Sequence, residues 1–205
     1  MKKKANKKRI LIFILIIITV IFSLIYINNS SKKEETIIKV EDKMEKYNYH
    51  LRDNATAYYK NLYNELKKVL ETEPVNKEEY AKLVTQMFLA DFFNLDNKLT
   101  NADIGGVEFI IESFKSDFIS LAKTSIYESV QSNLYNDRKQ ELPKVNEVKI
   151  ISITKIKHKY LDKVDNEAYE VEAEIEYVKN LKYQTTAKVV LVNNGHKLEI
   201  VEMTK

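Results

Sequence analysis

The sequence predicts an α+β protein: an N-terminal transmembrane helix, then three helices packed on a curled, cone-like four-stranded antiparallel sheet. Three observations carry this. Ile10–Ile27 is an uncharged, almost wholly apolar run, apolar residues recur at steps of three and four through most of the chain before Pro143, and they recur at every second residue after it. A length of 205 residues allows one domain plus an accessory segment. The 31% charged and 44% hydrophobic residues fit a folded chain, and three glycines, two prolines and no cysteine exclude collagen-like and disulfide-stapled classes.

The run ILIFILIIITVIFSLIYI holds 18 residues. As a helix it spans about 27 Å, enough for a hydrocarbon core. Six basic side chains lie before it in Met1–Arg9, which predicts a cytoplasmic tail (1–9), a transmembrane anchor (10–27) and an outward-facing C-terminal part. A cleaved signal peptide is the alternative, but it requires a shorter apolar core and a small-x-small exit. The exit here is SLIYINNSSKKEE, without alanine, so an uncleaved single-pass cell-membrane anchor is expected. The chain's net charge is +3, and removing the six basic groups of the tail leaves −3 for Asn28–Lys205. A mildly acidic domain with scattered lysines argues against a nucleic-acid partner.

After a polar linker (28–35), the domain (36–205) opens with apolar positions Ile37, Val40, Met44, Tyr47, Leu51, Tyr58, Leu62, Leu66 and Val69. This predicts a long helix over Thr36–Glu71, weakened near Asn54-Ala55. Its first half offers either a face packed on its own domain or a coiled-coil stalk joining identical chains, the basis for a homo-oligomer. Glu73-Pro74 ends it. Asn76 followed by Glu79 forms a capping-box pattern, and a second helix is expected to run to about Phe93. Asn94–Asp103 has loop chemistry. Gly105-Gly106 precedes a third helix, with Val107, Ile110, Ile111, Phe114, Phe118, Leu121, Ala122, Ile126 and Val130 on its apolar side, ending near Asn133.

Beyond Pro143 the period changes. Glu147–Tyr160 is rich in Ile, Val and Thr, and Asp162–Asn166 is expected to turn it. Ala168–Val178 alternates Tyr169, Val171, Ala173, Ile175 and Tyr177 with four glutamates, the pattern of a half-buried strand. Tyr183–Val192 and Leu198–Met203 are the third and fourth strands, joined by the hairpin signal Asn193-Asn194-Gly195. Short links throughout predict an antiparallel meander.

Little in the sequence points to chemistry. His50, His158 and His196 fall on different predicted elements, without metal-ligand spacing, and no phosphate-binding or nucleophile motif occurs. No metal site, cofactor or catalytic residue is therefore assigned. Asp91 and Asp103 flank the aromatic stretch and are candidate acids inside a cone pocket, Asp91 in the apolar context LADFF being the better match for an acid or base; an exposed helix position explains Asp91 equally well. Gly105-Gly106 could present amides to an anion, or simply permit a tight helix entry. Glu170, Glu172, Glu174 and Glu176 form either an acidic docking strip or a solvated face paired with Lys149, Lys155 and Lys188. Tyr58, Tyr59, Tyr63, Phe88, Phe92 and Phe93, among thirteen tyrosines and eight phenylalanines, form stripes that are core or line a pocket between helices and sheet.

The order of a basic tail, one span, three helices and a four-stranded meander resembles the membrane-anchored members of the nuclear transport factor 2-like superfamily. Within these it is similar to the bitopic assembly factors of type IV secretion and conjugation systems. The string MFLADFFNLDNKLTNADIGGVEF (Met87–Phe109) also resembles uncharacterised anchored proteins of low-GC Gram-positive bacteria. The resemblance implies an extracytoplasmic, non-enzymatic interaction or assembly module that docks envelope proteins. The alternative is a small-ligand-binding or hydrolytic domain using the pocket.

Overall fold

The structure, a computed structural model, describes residues 35–205; the expected basic tail, the anchor Ile10–Ile27 and residues 28–34 of the linker lie outside the described residues. Among the described residues, no helix is long and apolar enough to cross a membrane. The architecture is α+β, with three helices on a four-stranded antiparallel sheet, preceded by a two-stranded hairpin.

The hairpin overturns the long first helix. Val40–Met44 (β1) and Tyr49–Arg52 (β2) pair antiparallel, with Met44 opposite Tyr49 and Lys43 opposite His50. Steps of three and four from Val40 to Leu51 imitate a helix. The local chemistry at the turn decides otherwise. Asn48 takes a left-handed conformation (φ 54°), which asparagine tolerates, and its amide donates to the Met44 carbonyl at 2.7 Å. Tyr49 and Leu51 then alternate into the core while His50 and Arg52 point elsewhere, half-buried. The segment offered for a coiled-coil stalk is therefore sheet, and that basis for a homo-oligomer is gone.

The first helix, α1, covers only Ala57–Leu70. Thr56 caps it, its hydroxyl accepting the Tyr59 amide at 3.1 Å. Its apolar face buries Tyr59, Leu62, Tyr63, Leu66 and Leu70. The helix α2 (Lys77–Phe92) starts where the capping pattern predicts, with Asn76 Oδ1 accepting the Glu79 amide at 3.2 Å. The Glu79 carboxylate pairs with Lys82 instead of reaching back to Asn76. This helix is apolar almost all round and lies between α1 and strands of the large sheet, as a central helix must.

The third helix is shorter than expected. After Gly106 comes a single 3-10 turn, Val107–Phe109, then extended Ile110, then α3 (Glu112–Lys123). The β-branched pair Ile110-Ile111 leaves the helix to dock on the sheet. Ile110 bridges Ile200, and the Ile111 amide donates to the Ile200 carbonyl at 3.1 Å. At the far end the Thr124 and Ser125 hydroxyls bond back to the carbonyls of Ser120 and Leu121; Ile126 falls in the turns beyond it and Val130 just past them.

The large sheet is the predicted meander: β3 (Val145–Tyr160), β4 (Lys163–Tyr177), β5 (Thr186–Asn194) and β6 (Lys197–Thr204), adjacent in that order and all antiparallel. The turn expected over Asp162–Asn166 is tighter, Leu161-Asp162 with Leu161 at φ 51°, so Asp165 belongs to β4. The last hairpin turns at Gly195 (φ 64°) and His196; Asn193 and Asn194 stay in β5, Asn194 opposite Lys197, so glycine alone supplies the positive φ. Along β4 the alternation holds. Tyr169, Val171, Ala173 and Ile175 are buried against the helices, and full burial of a side chain such as Val171 or Ile175 contributes about 1.5–3 kcal/mol. On the opposite face Glu170, Glu172 and Glu176 are ion-paired and Glu174 is exposed. Lys188 spans Glu170 and Glu172 at 3.3 and 3.0 Å, and Lys149 pairs with Glu176. Lys155 pairs with Glu167, outside the strip.

Candidate functional site

Two cavities flank α2. The first, about 490 Å³, has a mixed wall, the more polar of the two, and lies among β2, the loop leading into α1, the C-terminal end of α2 and the 3-10 turn. The second, about 410 Å³, is apolar and lies between α2, α3 and β6, with Phe88, Phe92, Phe114, Phe118 and Met203 in its wall.

The polar cavity is built by the segment that looked like loop and helix entry. Asp91, near the end of α2, is neither exposed nor free. One oxygen takes the ammonium of Lys98, a lysine only 1% exposed, and the other accepts the Gly106 amide at 2.7 Å. Burial would raise the Asp91 carboxyl, but Lys98, the Gly106 amide and the nearby Arg52 outweigh it and hold the group below the usual carboxylate range. A group so stabilised as an anion is a poor general base at neutral pH. Asp103 is also spent structurally. It receives the Arg52 guanidinium as a fork at 2.8 and 3.0 Å and the Leu99 amide at 3.0 Å. Burial would lower Arg52; the Asp103 fork outweighs it and raises it.

Both glycine amides are likewise taken by the protein itself. The Gly105 amide donates to the Tyr127 hydroxyl at 3.0 Å, which in turn donates to the Phe92 carbonyl at 2.7 Å. The anion presented to Gly106 is Asp91. The glycines are required by close approach, since a Cβ on Gly105 would lie 2.3 Å from the Asp91 carbonyl oxygen. Gly106 also sits at φ 75° against the Phe88 ring.

The most chemically suggestive group was not visible in the sequence. Glu108 is held by three donors: the His50 amide and His50 Nδ1, each 3.0 Å from Oε2, and the Tyr59 hydroxyl, 3.3 Å from Oε1. Burial raises the Glu108 carboxyl above its ordinary range, against the pull of His50. His50 is thus tied to this carboxylate through both its backbone amide and its ring. His50 and Glu108 are 58 residues apart, so no local spacing signals their meeting.

The other histidines lie elsewhere. His158 Nε2 is 3.9 Å from Glu202, and His196 packs edge-on against Tyr47 at a ring distance of 5.3 Å. Among the described residues no group of three His, Cys, Asp or Glu side chains is placed to hold a metal. Of the aromatic stripes, Tyr63 and Phe88 are wholly buried core, and Tyr59 faces the polar cavity. Tyr58 ties α1 to β3, its hydroxyl donating to the Val148 carbonyl at 3.2 Å and accepting the Val148 amide at 3.0 Å.

No protein-family model, curated protein or solved structure matches the chain.

Proposed function

We propose that the protein is a non-enzymatic interaction module, anchored in the cell membrane through Ile10–Ile27 and presenting Thr36–Lys205 outside the cytoplasm to envelope proteins. The basic tail before the apolar run supports the topology. The observation that carries the non-enzymatic part is the commitment of Asp91, the first candidate for acid–base work, to Lys98 and Gly106. Membership of the nuclear transport factor 2-like superfamily, with a cone-like sheet, belongs to the same proposal and is supported by element order. A subunit of a conjugation or other envelope machine is its most specific form.

The test has two arms. Protease added to intact spheroplasts should digest the domain, and crosslinking in membranes followed by mass spectrometry should capture envelope-machine subunits reproducibly. A C-terminal tag protected from external protease, or a domain that crosslinks to no envelope protein, overturns the proposal. An alternative function, binding of a small apolar ligand, is favoured by one feature, the 410 Å³ cavity walled by phenylalanines between α3 and β6. Its sign would be an apolar molecule retained there after purification.

A further inference from the structure

We infer that the groove between α3 and the outer edge of β6 receives a short extended peptide, apolar at alternate residues and basic at one end, which adds to the large sheet as a fifth strand. The inference rests on the reading of the chain as an interaction module and names the chemistry of its partner.

The protein begins this addition itself. β6 is the last strand of the large sheet. Ile110 bridges Ile200 in parallel on its outer edge, and the Ile111 amide donates to the Ile200 carbonyl at 3.1 Å. The chain then leaves the sheet to enter α3 at Glu112. From Val201 to Thr204 no described residue pairs with that outer edge. The stretch is about 13 Å long, so the strand that completes it is short. An exposed edge of this kind is a template for another extended backbone.

The groove beside the edge is apolar. Phe114, Phe118 and Leu121 of α3 face Met203 of β6 across it, with Phe88 and Phe92 of α2 also in its wall. Leu121, 69% exposed, carries the apolar wall out to the surface. The volume of about 410 Å³ is that of a binding pocket. Successive side chains of a strand point to opposite faces, so every second side chain of a guest on β6 enters this groove. A small apolar molecule would fill the groove and leave the edge unpaired. A peptide meets both, its main chain supplying hydrogen bonds and its alternate side chains the selectivity.

The rim sets the sign of the guest's charge. Among the described residues lining the groove, Asp117 and Glu202 are the only charged ones, and both are exposed. Asp117 has no ion pair among the described residues, and Glu202 has only His158 Nε2, at 3.9 Å. Two carboxylates without a lysine or arginine in the wall suit a basic residue on the guest.

The test uses the full chain in lipid nanodiscs, without detergent that would occupy the groove. A phage-displayed library of random heptapeptides is selected on it, and the enriched sequence is synthesised. The expected result is enrichment of sequences apolar at alternate residues with lysine or arginine at one end. Leu121→Lys, at an exposed position of α3, should weaken the synthetic peptide about tenfold, and Asp117→Lys should remove the preference for a basic end. N-methylation of alternate peptide amides, tried in both phases, should abolish binding in the phase that faces β6; this arm needs no variant of the protein. Failure to enrich such a sequence, binding that Leu121→Lys leaves intact, a basic preference that survives Asp117→Lys, or a peptide matched by both methylated forms overturns the inference. Binding of 1-decanol with no peptide selected overturns it in favour of a small apolar ligand. The purified chain is read without its partners, so this inference and the crosslinking of envelope proteins can fail separately.

Discussion

The Asp91 carboxylate accepts the Gly106 amide at 2.7 Å across fourteen intervening residues, and its other oxygen holds the buried Lys98 ammonium. One side chain at the end of α2 thus fixes both the following loop and the entry to the 3-10 turn. Tyr127 performs the same service from the other side, linking the Gly105 amide to the Phe92 carbonyl. The string Met87–Phe109 is a single packed unit, and the floor of the polar cavity rests on it.

Gly105 and Gly106 are therefore expected to be intolerant positions for different reasons. Gly105→Ala drives a methyl into the Asp91 backbone carbonyl, which belongs to a buried helix and has little room to move. Gly106→Ala adds left-handed strain to a clash with Phe88. Each should cost about 2–4 kcal/mol, read as a lower midpoint in urea denaturation. Gly195→Ala meets no atom within 4 Å and should cost about 1 kcal/mol, from its positive φ alone.

Removing the Asp91 charge should unmask Lys98. Asp91→Asn leaves an ammonium that is 1% exposed without its counter-ion, a loss of about 3–5 kcal/mol. The double variant Asp91→Asn with Lys98→Met, of similar shape and no charge, should be more stable than Asp91→Asn alone. Urea denaturation of the cycle at pH 7 reads the coupling, and a double variant no better than the sum of the singles would deny it. The acid limb carries the same information. The folded-state value of Asp91 is depressed, so its contribution is present above the ordinary carboxylate range near pH 4 and is lost as pH falls through the lower folded value. Asp91→Asn should flatten that part of the stability profile.

How much of this was legible depends on the range of each interaction. The order of the meander is legible because alternation in β4 and the glycine of the last turn are local signals, although β4 begins at Lys163 rather than Ala168 and β5 at Thr186 rather than Tyr183. The cap at Asn76 was local too. The β1–β2 hairpin was lost because Val40, Met44, Tyr47 and Leu51 keep helical spacing by coincidence, while the deciding feature, Asn48 at positive φ, is one residue. Asp91 stands out in the sequence by its apolar context, but its role is set by Lys98, in a segment that reads as loop, and by the Gly106 amide, which reads as open to an external anion or as a helix entry. The His50–Glu108 pair is not legible, since it depends on a hairpin whose apolar spacing reads as helix.

The corrected start of α1 can be checked at Thr56. Its hydroxyl accepts the Tyr59 amide at 3.1 Å, which a continuous helix through Thr36–Glu71 would satisfy by a backbone carbonyl instead. Thr56→Ala should cost about 1 kcal/mol, and Thr56→Asp or Thr56→Ser should restore most of it. If Thr56→Ala stabilised the chain, as alanine does inside a helix, the cap would be refuted.

The Glu108 carboxyl should give the opposite pH signature to Asp91. Burial raises its folded-state value above the ordinary 4.3 or so, so the folded protein binds this proton more readily than the unfolded chain. Stability at neutral pH therefore carries the cost of a charged Glu108, and that cost disappears as pH falls through the raised value towards the unfolded one. Glu108→Gln cannot titrate and lacks this relief. The stability of the wild-type chain relative to Glu108→Gln should rise on going from pH 7 to pH 4, whatever offset the lost contacts with His50 Nδ1 and the Tyr59 hydroxyl impose at pH 7. Urea midpoints at half-unit pH steps measure it. A difference that stays flat, or that falls towards pH 4, would mean that Glu108 is not held against its charge in the folded state.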